Sequence, residues 1–267
     1  MIFRRNSTAN AGWRRFWQWQ ATICPDEFPS LHVILRYDKA ALDPGQSSQI
    51  VWQCEKALEE LARWHRFSLR PRPTVFILAN SHVFRQVVSD CCGAICLLEK
   101  NAVVLPAYGV PGHGFVDELI RHELAHLFTA KWNRRALPLL NEGFATWWQR
   151  TAGERAVDER AHHFFQSVSI GLGDLVDPET FYARKFYGAN YALAGSFSGF
   201  LIRRFGRDRY REFYKAALPA NFAQSLSDIF TLTLTQAEVQ WRVEVATAGM
   251  PKRRLQRELR GTLRPGA

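Results

Sequence analysis

The spacing of hydrophobic residues predicts that strands and helices alternate over the first hundred residues. Residues 31–37 (LHVILRY) and 74–78 (TVFIL) are rich in β-branched and aromatic side chains, which is typical of strands. Between them, Asp43 and Pro44 form an N-cap and a first-turn proline. Hydrophobic residues then recur every three or four positions, as in an amphipathic helix of roughly twenty residues. Two apolar runs within residues 93–105 flank a Glu-Lys-Asn turn and predict a hairpin.

After Phe115 the hydrophobic residues follow the helical period, and Gly, Pro, Asn and Asp mark the ends of the predicted helices. The predicted fold class is therefore α+β, with a mixed strand and helix N-terminal half built on a twisted sheet and a mainly helical C-terminal half. We expect one domain over residues 28–248. An arm (1–27) precedes this domain and a tail (249–267) follows it.

The net charge of +10 is concentrated at the two ends of this chain of 267 residues. Residues 1–20 contain four arginines and no acid, and residues 251–267 contain six bases and one acid. The remainder is nearly neutral, so a contact with a polyanion would involve the ends, and we do not expect nucleic acid to be a partner. We also expect removal of both ends to leave the activity of the rest intact.

Hydropathy and cysteine content predict a cytoplasmic protein. No apolar run of signal-peptide length follows the basic start. The longest apolar stretch, residues 191–202, is about a dozen residues long and is interrupted by Gly and Ser, so we expect no membrane span. Five cysteines are an odd number and too few for a disulfide scaffold of this length, which favours a reducing compartment.

The arm allows two interpretations. Trp13, Phe16 and Trp17 are three and four positions apart, with Arg14 and Arg15 between them, which is the pattern of a short amphipathic helix on an anionic membrane surface. The same hydrophobic side chains can instead pack on the domain. The first interpretation predicts peripheral attachment to a membrane, and the second predicts none.

The motif His122-Glu123-Leu-Ala-His126 lies within a predicted helix that covers residues 115–130. Side chains four positions apart share one helix face, so both imidazoles can bind one metal ion while Glu123 faces a neighbouring position. A carboxylate there can act as general base toward a metal-activated water. The alternative is two solvated histidines beside a surface acid. Hydrophobic residues around the motif predict a buried helix instead, and buried histidines need partners.

A catalytic zinc ion needs a third protein ligand and an open position for water. We predict that Glu142 is this ligand, with Asn141 capping a new helix, Glu142 in its first turn, and Gly143 allowing two helix backbones to approach closely. Fifteen residues separate His126 from Glu142, which is enough to end one helix and begin another against it. The alternative is an acid that the helix dipole favours in a first turn.

HELAH, followed by a short linker, Leu-Pro and NEGFA, resembles the gluzincin metallopeptidases of clan MA, in particular their compact single-domain members with HExxH and then EGxA. The stretches 191–206 and 230–241 resemble the helices after the third ligand in that group. The resemblance covers residues 28–245 and implies a zincin-like fold. It also implies a peptide or protein substrate, cleaved at an internal bond, since the segment that captures a free N-terminus in the large aminopeptidases is missing.

The resemblance also implies the roles of individual residues. Glu123 is the implied general base and proton shuttle, and one zinc ion per chain is bound by His122, His126 and Glu142. Gluzincins add a tyrosine or histidine that hydrogen-bonds the oxyanion, and Tyr191 is the first candidate here, before Tyr187. The alternative for each tyrosine is a half-buried packing residue. The strand that precedes the metal helix in zincins lines the substrate cleft, which corresponds to residues 93–97 or 102–105.

Two other functions stay open. One is a zincin-fold scaffold or binding protein with little turnover, docked by its basic ends on a membrane or a nucleic acid, but such a protein has no need of Glu123. The other is a zinc hydrolase that acts on esters or other amides with the same residues.

Two further groups of residues have less specific patterns. Cys91, Cys92 and Cys96 are close enough for a second metal site or a redox thiol, but no second Cys or His pair lies near them, so small buried residues are favoured. His162 and His163 can reach the cleft as substrate ligands or occupy an exposed helix face, and the exposed face is favoured.

Overall fold

The computed structural model of the protein describes residues 16–18, 20–79, 82, 84, 93–107, 115–152, 155–183 and 188–248. Within that part the chain forms a five-stranded mixed sheet in its first half and mainly helices in its second half, which confirms the predicted α+β class. Contacts divide the chain into two compact units. The first lies within residues 1–135 and 148–154, and the second within residues 136–147 and 155–267.

The first half contains all five strands of the mixed sheet and two long helices. In chain order these elements are β1 (Asp26–Pro29), β2 (Ile34–Tyr37), α1 (Pro44–His65), β3 (Thr74–Leu78), β4 (Ile95–Leu97), a 3-10 turn (Leu98–Lys100), β5 (Ala102–Pro106) and α2 (Phe115–Thr129). The strand order is β1-β2-β3-β5-β4. The three inner strands are parallel to one another, while β1 and β4 pair antiparallel at the two edges.

The local signals in the sequence explain several of these boundaries. The Asp43 carboxylate accepts the Gln46 backbone N–H and the Gln46 side chain accepts the Asp43 N–H, so α1 begins with the predicted capping box. The predicted hairpin is confirmed as β4 and β5. The strand predicted from residue 31 begins at Ile34, because the Ser30 N–H bonds to the Val33 carbonyl at 2.9 Å and reverses the chain between β1 and β2.

Part of the predicted arm belongs to the first unit. Residues 16–18 and 20–23 are helical, and Phe16 is 0% exposed, with its ring centroid 5.1 Å from that of Phe76 on β3. Cys24 lies in the same hydrophobic cluster. Packing on the fold is therefore the interpretation that holds for this stretch, while Trp13, Arg14 and Arg15 lie outside the described residues.

The second half is mainly helical. Its elements are α3 (Pro138–Gln149), β6 (Thr151–Ala152), β7 (Arg155–Ala156), α4 (Val157–Ser167), α5 (Leu172–Val176), α6 (Pro178–Phe181), α7 (Ala189–Phe205), α8 (Arg207–Ala216), a 3-10 turn (Pro219–Asn221), α9 (Phe222–Phe230) and α10 (Leu234–Ala248). Among the described residues, none of the helices combines the length and the hydropathy needed to cross a bilayer.

Helix α7 is the centre of the second unit and is buried along most of its length. Helices α4, α8 and α10 pack against it. Phe197 on α7 contacts Trp241 on α10 with ring centroids 5.3 Å apart, and the Trp241 indole N–H donates to the Ser196 hydroxyl at 3.0 Å. Gly206, at φ 85°, ends α7 and allows α8 to begin at the next residue.

Candidate metal centre

Helix α2 presents the two histidines of the motif. It packs against α1, β4 and β5, and its buried hydrophobic residues include Ile120, Leu124 and Leu127. His122 and His126 lie one turn apart, with ring centroids 4.9 Å apart and ring planes at 79°. Both imidazoles are buried, so the interpretation of solvated surface histidines does not hold.

Helix α3 presents Glu142, but the helix begins earlier than predicted. It starts at Pro138, whose fixed φ suits the first helical position, and Asn141 already donates its N–H to the Leu137 carbonyl at 2.8 Å. The prediction that Asn141 caps the helix is therefore wrong. Glu142 is the fifth helical residue, the first turn contains no acid, and the alternative based on the helix dipole does not apply.

Gly143 allows a close helix approach, as predicted, but in the second unit the neighbouring helix is α7. A Cβ atom at Gly143 would lie 2.5 Å from the Ser198 hydroxyl oxygen and 2.7 Å from the Ala194 carbonyl oxygen, closer than real Cβ contacts. Only glycine fits there. The contact fixes the depth at which α3 lies on α7, and with it the position of the Glu142 backbone.

His122, His126 and Glu142 form one group that can bind a metal ion, because a ligand atom of each lies within 4.8 Å of the others. In the described part of the chain this is the one such group of three or more His, Cys, Asp or Glu residues. Two imidazoles and one carboxylate, all buried, are a donor set that suits zinc. Glu123 is also buried, at 7% exposed, and is not a member of the group.

Tyr182 is a site residue that the sequence analysis missed. It follows α6, is partly buried, and its hydroxyl hydrogen-bonds the Glu142 carboxylate. Burial raises the pKa of this phenol well above its usual range, and the negative charge and hydrogen bond of Glu142 raise it further. Tyr182 therefore stays protonated and donates a hydrogen bond to the Glu142 carboxylate. The sequence contains no signal for this contact, because Tyr182 follows Glu142 by forty positions and no spacing rule relates the two residues.

Tyr191, the predicted oxyanion residue, is half-buried in the first turn of α7, with its ring centroid 5.8 Å from that of Phe181. Its role stays a prediction. Tyr187, the second candidate, lies outside the described residues.

Gln149, the last residue of α3, is the second residue that the sequence analysis missed. Its side-chain oxygen lies 2.8 Å from Nδ1 of His122, and its side-chain nitrogen donates to the Thr151 carbonyl at 2.5 Å. A signal was present in the sequence, because Gln149 follows Glu142 by seven positions, close to two helical turns, and so shares its helix face.

An ion-pair cluster holds α2 against α1 beside the histidines. The buried Arg121 guanidinium contacts Glu60 at 2.8 Å and Asp117 at 2.9 Å, and Glu60 also contacts Arg150 at 2.8 Å. Burial alone would raise the pKa of Glu60. The hydrogen bond from Arg121 and the positive charges around the carboxylate outweigh burial and lower the pKa below its ordinary value.

The other candidate groups lie elsewhere. Cys96 is half-buried on β4 and belongs to no metal-binding group within the described residues, while Cys91 and Cys92 lie outside them. His163 is exposed on α4, and His162 pairs with Gln166 of the same helix at 3.0 Å. Both positions agree with an exposed helix face rather than a substrate ligand.

Comparison of the chain with models of known protein families, and with curated proteins, found no match. Its chemistry is therefore inferred from the side chains of the site.

Proposed function

We propose that the protein is a zinc-dependent peptidase of the gluzincin type, with a zincin-like fold, that hydrolyses an internal peptide bond. The observation that carries the proposal is the group of His122, His126 and Glu142, whose ligand atoms lie within 4.8 Å of one another, with the buried Glu123 beside it in the sequence. One zinc ion per chain would be held by these three side chains.

Each residue has a distinct task in this proposal. His122, His126 and Glu142 would hold the zinc ion, which would supply Lewis acidity to lower the pKa of water and polarise the scissile carbonyl. Glu123 would accept the proton of the attacking water and deliver it to the leaving nitrogen, because it directly follows His122 on the helix and so lies beside the face of the two histidines. Tyr182 holds the Glu142 carboxylate through its hydroxyl. Tyr191 is assigned the hydrogen bond to the developing oxyanion, by resemblance alone.

Sheet topology favours one of the two strands expected to line the cleft. Strand β5 has a strand on each side and is buried throughout, whereas β4 pairs with β5 alone among the described residues. An extended peptide can add only to an unpaired strand edge. Substrate is therefore proposed to lie along β4 (Ile95–Leu97), against which α2 also packs.

The test compares the wild type with Glu123→Gln, with Glu159→Gln as a matched control on the exposed surface of α4. Zinc content is measured on each protein, and hydrolysis is measured with an unstructured protein substrate such as casein. We expect one zinc per chain in all three. We expect activity to fall about 10²- to 10⁴-fold in Glu123→Gln alone, since a general base contributes that much.

The outcomes separate the remaining functions. A wild type that binds zinc but hydrolyses neither peptides nor esters is a scaffold, and hydrolysis of esters alone identifies a different zinc hydrolase. Equal activity in the wild type and Glu123→Gln overturns the assignment of the base.

A further inference from the structure

The side chain of Gln149 contacts one of the two histidines of the proposed metal centre directly. We infer that Gln149 is a positioning residue that holds His122 in the tautomer with hydrogen on Nδ1 and so directs the Nε2 lone pair to the metal. The inference rests on the proposed zinc site.

The orientation of the Gln149 amide follows from its second partner. The Thr151 carbonyl oxygen can only accept a hydrogen bond, so the group 2.5 Å from it must be the Gln149 amide nitrogen. The amide oxygen then faces His122, 2.8 Å from Nδ1. Hydrogen-bond chemistry thus selects one of the two amide orientations.

The tautomer of His122 follows in turn. An amide oxygen accepts hydrogen bonds and cannot donate one, so Nδ1 of His122 must carry the hydrogen. A neutral imidazole has a single N–H, which leaves the lone pair on Nε2. The opposite tautomer would set the Nδ1 lone pair against the amide oxygen. Metal-binding histidines use such an outer hydrogen bond to fix the ring and raise its basicity.

The segment that carries Gln149 is attached to α2 at two points. The Thr151 hydroxyl donates to the buried Glu118 carboxylate, which lies one turn before His122 on the same face of α2. Between the two attachment points, Arg150 has φ 75°, in the left-handed region that L residues rarely adopt. The chain therefore turns sharply after α3, and this turn brings both Gln149 and Thr151 to α2.

The first test measures the zinc dissociation constant of the intact protein by competition with a chelating dye. Gln149→Leu removes the acceptor, whereas Gln149→Glu keeps an oxygen that accepts from Nδ1. Gln166→Leu is the matched control, because it removes the glutamine from a second Gln–His pair within the described residues, the pair with His162 on α4. We expect the dissociation constant to rise about 10- to 100-fold in Gln149→Leu, to stay close to the wild-type value in Gln149→Glu, and to be unchanged in Gln166→Leu.

The second test needs no folded Gln149 variant. Long-range ¹H–¹⁵N correlation spectra of zinc-free wild type, above the pH at which histidines are protonated, distinguish the two tautomers by their ring couplings. A His122→Gln variant identifies the signals of His122. We expect Nδ1 to be the protonated nitrogen.

The outcomes of these tests are distinct from failure of the proposed function. A wild type that binds no zinc but shows the Nδ1–H tautomer overturns the proposed function and leaves the hydrogen bond intact. Any one of three results overturns the role of Gln149. The first is zinc binding that is equally tight in wild type and folded Gln149→Leu. The second is an equal loss of zinc affinity in Gln149→Glu and Gln149→Leu, and the third is the Nε2–H tautomer of His122 in the zinc-free protein.

Discussion

Glu142 is 2% exposed, and Tyr182 donates a hydrogen bond to its carboxylate. A buried ionised carboxylate without partners is strongly destabilising. The hydroxyl of Tyr182 offsets part of that cost in the absence of metal, because it donates a hydrogen bond to the carboxylate. Affinity for zinc is therefore expected to depend on a residue that is not itself a ligand.

Tyr182→Phe tests this dependence. We expect the zinc dissociation constant to rise about tenfold, because the carboxylate loses its hydrogen-bond donor. Tyr214→Phe is the matched control: Tyr214 donates to the side chain of Asn141, the residue before Glu142, at 3.0 Å. The control should lose about 1 kcal/mol of stability and keep its zinc affinity. An equal loss of affinity in both variants would mean that any contact to α3, rather than the contact to Glu142, matters.

Residues of the site differ in how far sequence can predict them. His122, Glu123 and His126 follow from the period of one helix, and the structure confirms that both histidines are buried on one face of α2. Tyr182 and Gln149 act through contacts that depend on where separate segments meet. Periodicity places Gln149 on the helix face of Glu142, but it does not indicate which segment that face meets, and it gives no signal for Tyr182.

The contact between α3 and α7 depends on small residues along both helices. Besides the contacts of Gly143, a Cβ atom at Gly195 would lie 2.7 Å from the Thr146 methyl group. Glycines at these positions let the backbones approach more closely than larger residues would allow. The position of Glu142 is therefore set by packing on α7, inside the second unit.

Gly143→Ala is expected to destabilise the protein by about 1–3 kcal/mol, because the new methyl group meets a backbone carbonyl that cannot rotate away. Gly173→Ala is the matched control, since the nearest atom to its new Cβ is 3.9 Å away and α5 gains helix propensity. Thermal and urea unfolding report both effects. A neutral Gly143→Ala would contradict the close approach of α3 and α7.

The ion pairs between α1 and α2 predict a dependence of stability on pH. Because the pKa of Glu60 is lowered in the folded state, its stabilising effect is present above its ordinary value of 4.5 and is lost as the pH falls through the lowered value. At neutral pH, Glu60→Gln should destabilise by about 1–3 kcal/mol, since the buried Arg121 loses one partner. The loss of stability caused by Glu60→Gln should become smaller below pH 4.5.

Urea unfolding from pH 3 to pH 7 measures the difference in the free energy of unfolding between the wild type and Glu60→Gln. Glu99→Gln is the control, because Glu99 pairs with Arg134 on the surface, where such pairs contribute at most about 1 kcal/mol. A destabilisation of Glu60→Gln that does not change with pH would contradict the lowered pKa.

Element boundaries show where sequence signals conflict. Helix α1 was predicted well because Asp43, Pro44 and Gln46 agree on one start. For α3, Pro138 and Asn141 each mark a plausible start, three residues apart, and the prediction chose the wrong one. The structure resolves the conflict in favour of Pro138. Residues 139 and 140 are buried, and the Leu137 carbonyl accepts the N–H groups of Leu140 at 2.9 Å and Asn141 at 2.8 Å.

At the scale of the whole molecule, composition does not show which residues near the N-terminus pack on the fold. The positive charge concentrated at residues 1–20 suggested a dispensable end, yet Phe16 lies in the core of the first unit against Phe76. We therefore expect removal of residues 1–20 to lower the stability of the fold, while the expectation that hydrolysis is retained stays a prediction. Charge and hydrophobic spacing do not distinguish an amphipathic helix that packs on its own sheet from one that binds a membrane.

A pair of truncations tests the contribution of Phe16 to stability. Removal of residues 1–15 should leave stability and hydrolysis close to those of the full chain. Removal of residues 1–20 should reduce stability by about a further 3–5 kcal/mol, because it takes a buried phenylalanine out of the core. Circular dichroism melts measure both. Equal melting temperatures for the two truncations would contradict the packing of Phe16.

The most direct test of the central claim is the zinc stoichiometry of the metal-stripped protein, measured by calorimetric titration on wild type, His126→Ala and Glu142→Gln. We expect one zinc per wild-type chain, and a loss of affinity of at least about 10-fold when either ligand is changed. A metal centre built from His122, His126 and Glu142 would be contradicted by either of two results. One is a wild type that takes up no stoichiometric zinc, and the other is a variant that binds zinc as tightly as the wild type.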